Sequence, residues 1–72
     1  GIYFMNHGAT CNNITVNEGG TFDSSSNPHA ITLGGTAFSV KPGGTVIVDP
    51  TNTTFTNLPT PSEKSRILFT NA

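Results

Sequence analysis

The apolar residues of this chain fall in short bursts with a period of two residues, and turn-forming residues separate the bursts. The segment "NITVN" (13–17) shows the pattern, because Ile14 and Val16 would share one face of an extended strand while polar residues occupy the other. No window has the 3.6-residue period of a long helix. The sequence therefore predicts an all-β protein of about six to eight short strands.

Glycine pairs suggest how these strands connect. The runs "HAITL" (29–33) and "TAFSV" (36–40) flank Gly34-Gly35, which predicts a β-hairpin, since glycine supplies the positive φ that tight hairpin turns need. Gly-Gly-Thr recurs at 19–21, 34–36 and 43–45, and the successive spacings of 15 and 9 residues do not indicate a solenoid repeat. We expect a small antiparallel sandwich or barrel-like domain.

The stretch "VKPGGTVIVDP" (40–50) raises the possibility of a phosphate-binding loop. The lysine precedes the glycines and a strand follows them, which is the reverse of the order in a phosphate loop that opens a helix. A Pro42-Gly43 type II turn explains the residues, followed by a central strand covered on both faces. Near residues 61–65, Thr60, Pro61 and Glu63 match a capping box and predict at most one helical turn.

Residues 1–12 are predicted to form an N-terminal arm or edge strand, and residues 13–72 a single small β domain. The apolar run at the start of the arm could dock on a neighbouring subunit as an added strand, so the candidate subunit-contact residues are Ile2, Tyr3, Phe4 and Met5. The candidate core residues are the apolar members of the predicted strands: Ile14, Val16, Phe38, Val40, Val46, Ile47, Val48, Phe55, Ile67 and Phe69.

Charge is scarce, with three Lys or Arg residues against four Asp or Glu residues. Three scattered cations cannot neutralise a row of phosphates, which argues against nucleic-acid binding. No segment approaches the roughly 20 apolar residues of a membrane-spanning helix, so no membrane association is expected. The chain shows no secretory signal, and Gly1 fits a removed initiator methionine better than a cleaved precursor.

No catalytic constellation is visible. His7, Cys11, Asp23 and His29 match no zinc-ligand spacing, and Cys11, the only cysteine, is expected to be a small buried or half-buried thiol. We therefore predict no catalytic residues, no metal, no cofactor and no small-molecule substrate. The glycosylation sequons at Asn13 and Asn52 are expected by chance in a chain so rich in Asn and Thr.

Small size leads to the functional expectation. A chain of 72 residues buries only about 60% of its unfolded surface, and without disulfides or metals it would gain stability by assembly. We expect a non-enzymatic structural protein whose partners are copies of itself and a larger structural protein. The favoured type is a small virion accessory protein of the capsid decoration or cement kind, located in a virion or assembled extracellular particle. The alternatives are a secreted fibre or adhesin module and a carbohydrate-binding β-sandwich.

Overall fold

The computed structural model describes residues 1–70 and shows an all-β chain, as the sequence predicted. Every predicted burst of period-two residues lies in or beside an observed strand. Residues 71 and 72 of the predicted domain lie outside the described residues. The seven strands in this part of the chain are β1 (Ile2–Phe4), β2 (Ala9–Val16), β3 (Thr21–Asp23), β4 (Ile31–Val40), β5 (Thr45–Val48), β6 (Thr53–Phe55) and β7 (Arg66–Phe69).

The strands pair only in parallel, so the expected antiparallel sandwich or barrel is wrong. Odd-numbered strands form one sheet in the order β1-β3-β5-β7, called sheet A here, and even-numbered strands form sheet B in the order β2-β4-β6. Successive strands alternate between the two sheets, so each coil contributes one strand to sheet A and one to sheet B. The result is a β-solenoid of about three turns.

Stacked positions in successive coils build the core. In sheet A, Tyr3, Phe22, Val46 and Ile67 lie in one column that faces the interior. Alternate residues of each strand face inward and meet the inward residues of the other sheet. The buried apolar residues are Met5, Val16, Phe22, Ile31, Leu33, Phe38, Val40, Val46 and Val48.

Three similar turns stack at the corner that leads into sheet A. In each of them a backbone N–H donates to the carbonyl three residues back, at Gly20, Gly44 and Ser65. The residue before each donor has a positive φ: 67° at Gly19, 74° at Gly43 and 60° at Lys64. The turn predicted at Pro42-Gly43 is therefore present, and it belongs to a stack. Residues 61–65, where at most one helical turn was expected, contain no helical turn, because this segment forms the third of these turns.

The predicted hairpin at Gly34-Gly35 is also wrong, since both glycines lie inside the ten-residue strand β4. Gly34 has a φ of 76°, and the pairing of β2 with β4 shifts register beside it, between Cys11 and Asn13. The glycines therefore form an irregularity in one strand rather than a turn between two. The Asn57 side chain holds this irregularity, because its Nδ2 donates to the Gly34 carbonyl at 2.6 Å.

Asparagine side chains tie the opposite corner together. The buried Asn27 donates from Nδ2 to the His7 carbonyl at 3.0 Å and accepts from the His29 N–H at 2.9 Å. Asn52 donates in turn to the Asn27 carbonyl. These bonds link three successive coils and satisfy backbone groups that the turns would otherwise leave unpaired.

Candidate functional site

Within residues 1–70, the first and last strands of each sheet pair on one side only. At one end β1 pairs only with β3, and β2 pairs only with β4, so within residues 1–70 nothing pairs with their other sides. We call the free sides of β1 and β2 the N-terminal edge, and the free sides of β6 and β7 at the other end the C-terminal edge. Unpaired backbone groups of a strand edge are a ready template for another chain.

Apolar side chains concentrate at the N-terminal edge. Ile2, Tyr3 and Phe4 are 66%, 52% and 67% exposed. Tyr3 continues the inward column of sheet A and stacks on Phe22 with ring centroids 5.7 Å apart. Its other face has no strand above it. Half of this side chain is therefore in water although its position belongs to the core.

A groove of about 490 Å³ opens between β1 and β2 at this end. Cys11, Ile14 and Val16 of β2 line one side of the groove, and Tyr3 of β1 and Phe22 of β3 line the other. The inward residues Cys11 and Ile14 are only partly buried. At this groove the inward side chains of the first coil are not covered, and one further layer of residues would complete their packing.

The C-terminal edge is also partly apolar. Phe69 is half exposed and packs edge-on against Phe55, with ring centroids 5.7 Å apart, and Leu58 and Leu68 are exposed as well. Charged and proline residues accompany these apolar groups. They are Pro61, Glu63, Lys64 and Arg66, all of which are exposed.

Charge distinguishes the two edges. The first Asp, Glu, Lys or Arg in the chain is Glu18, so β1, β2 and the loop between them carry none. Natural proteins protect exposed edges with charged residues and proline, which discourage pairing with other chains. The C-terminal edge has this protection and the N-terminal edge does not. The N-terminal edge is therefore the candidate functional site.

Three of the four candidate contact residues are exposed at this edge, and the fourth is buried beneath it. Ile2, Tyr3 and Phe4 form the exposed strand β1. Met5 is 2% exposed and lies in the chain's own core. Sequence reasoning did not place Cys11 and Ile14 beside this arm, because their proximity depends on how the first coil closes.

The ten candidate core residues divide into three groups. Five are buried, namely Val16, Phe38, Val40, Val46 and Val48, and three pack partly buried against them, namely Ile14, Phe55 and Ile67. Ile47 is half-buried and Phe69 is half exposed. The sequence analysis omitted Met5, Phe22, Ile31 and Leu33, which lie in the same inward columns.

The residues with chemically reactive side chains do not converge. Among residues 1–70 no group of three or more His, Cys, Asp or Glu side chains is close enough to hold a metal ion. His7 takes part in the fold through its carbonyl and His29 through its N–H. No helix in the described part of the chain is long and apolar enough to cross a membrane.

Comparisons with known protein families, curated proteins and solved structures found no match for this chain.

Proposed function

We propose that this chain is a non-enzymatic structural protein of a large assembly, and that it joins the assembly through its N-terminal edge. One observation carries the proposal: this edge combines unpaired strands, exposed apolar side chains and no charged residue. Strand addition to such an edge gives affinity through backbone hydrogen bonds and specificity through alternate side chains.

The assembly proposed from the sequence is a virus particle, with this chain as a capsid decoration or cement protein. Its support is the apolar groove and the exposed side chains of β1 at the N-terminal edge. An added strand at the N-terminal edge would cover the groove and bury Tyr3, so the contact would stabilise both the module and its partner. Such mutual stabilisation is what a cementing role requires.

A fibre or adhesin module is the second candidate, and the solenoid itself favours it. Parallel coils stack along one axis, with strands about 4.8 Å apart, and each end presents strands that can continue the stack. A module of this shape extends a structure in one dimension. The carbohydrate-binding alternative presupposed a β-sandwich and is not proposed.

Co-sedimentation from the native source tests the proposal. The chain should sediment with particles or filaments that electron microscopy identifies as one or the other. A Phe4→Lys variant should lose this association, because it places a charge on the N-terminal edge. Leu68→Lys is the matched control, since Leu68 occupies the same outward column as Phe4 at the opposite edge. Sedimentation of the native chain as a free monomer would overturn the proposal.

A further inference from the structure

We draw no further inference here: the strongest candidate, the exposed apolar N-terminal edge of β1 and β2 with the groove between these strands, carries nothing beyond the proposed function, because nothing in the structure shows what covers it.

Discussion

Ser24 is the only buried side chain within residues 1–70 whose polar atom has no hydrogen-bond partner. It is 1% exposed. The register of sheet A, continued by one residue, places it in the inward column between Met5 and Val48. Its backbone is well bonded, since its N–H donates to the Ile47 carbonyl at 2.8 Å and its carbonyl accepts from the Asn27 N–H at 3.1 Å. The hydroxyl alone is unsatisfied.

Ser24→Ala should therefore stabilise the protein. Burying a hydroxyl without a partner costs about 1–3 kcal/mol, and the substitution removes that cost while keeping both backbone hydrogen bonds. The missing oxygen leaves a small void, which takes back part of the gain. We expect a net gain of about 1 kcal/mol, or an increase in Tm of roughly 4–8 °C for a domain of this size.

Thermal and urea unfolding followed by circular dichroism measure this effect. Ser26→Ala is the matched control, because Ser26 is exposed two residues away and should change stability by less than about 0.5 kcal/mol. A loss of about 1 kcal/mol in Ser24→Ala would refute the reasoning, since it would mean that the hydroxyl is bonded in the folded protein.

Three further substitutions test the fold by urea unfolding. Lys64→Gly should stabilise it by roughly 0.5–1 kcal/mol, because Lys64 has a φ of 60° that glycine adopts without strain. Gly34→Ala should destabilise it by at least about 2 kcal/mol, since its φ is 76° and a Cβ would collide with the Asn57 carbonyl. Asn27→Ala should cost roughly 2–3 kcal/mol, because two hydrogen bonds of a buried side chain are lost, including the one to His7.

Each of these substitutions has an informative control or contrary result. Glu63→Gly, one residue before Lys64, has no positive φ to relieve and should not stabilise the protein. A Gly34→Ala variant as stable as the native chain would mean that β4 passes this point without the irregularity. Asn6→Ala, at an exposed asparagine, should change the free energy of unfolding by less than about 0.5 kcal/mol. If Asn27→Ala costs no more than Asn6→Ala, the hydrogen bonds of Asn27 do not stabilise the corner.

The positions of the strands could be predicted because their signal is local. Alternation of apolar and polar residues over four or five positions identifies an extended segment whatever it pairs with. Val46 and Val48 illustrate this, since both are fully buried in β5 as the pattern indicates. Ile47, between them, faces outward and is only half-buried. The expectation that both faces of this strand are covered is therefore wrong, although the apolar run is continuous.

The sequence does contain the repeat of the coils, but the spacings between successive Gly-Gly-Thr copies do not reveal it. Gly-Gly-Thr at 19–21 and at 43–45 occupy equivalent corners, because Thr21 pairs with Thr45, 24 residues later. The copy at 34–36 lies inside β4 and interrupts the series. Thr10, Thr32 and Thr54 recur every 22 residues and stack in one outward column of sheet B. Coils of unequal length weaken a fixed-period signal of this kind.

The candidate site could also be predicted from the sequence only in part. The exposed apolar run Ile2–Phe4 and the absence of charge before Glu18 are visible in the sequence. The groove is not, because it exists only once β2 has stacked on β4 and placed Cys11 and Ile14 opposite Tyr3.

The sequence by itself determined that the chain is all-β, which segments contain its strands, and which face of most strands is apolar. Only the tertiary structure decided that the strands pair in parallel, that Gly34-Gly35 interrupts a strand instead of turning the chain, and which edges stay free. The physical reason is the range of the interactions. Alternation acts between residues two apart, whereas the bonds that set direction and partner join residues about 20 positions apart, where a glycine pair fits a turn or a bulge equally well.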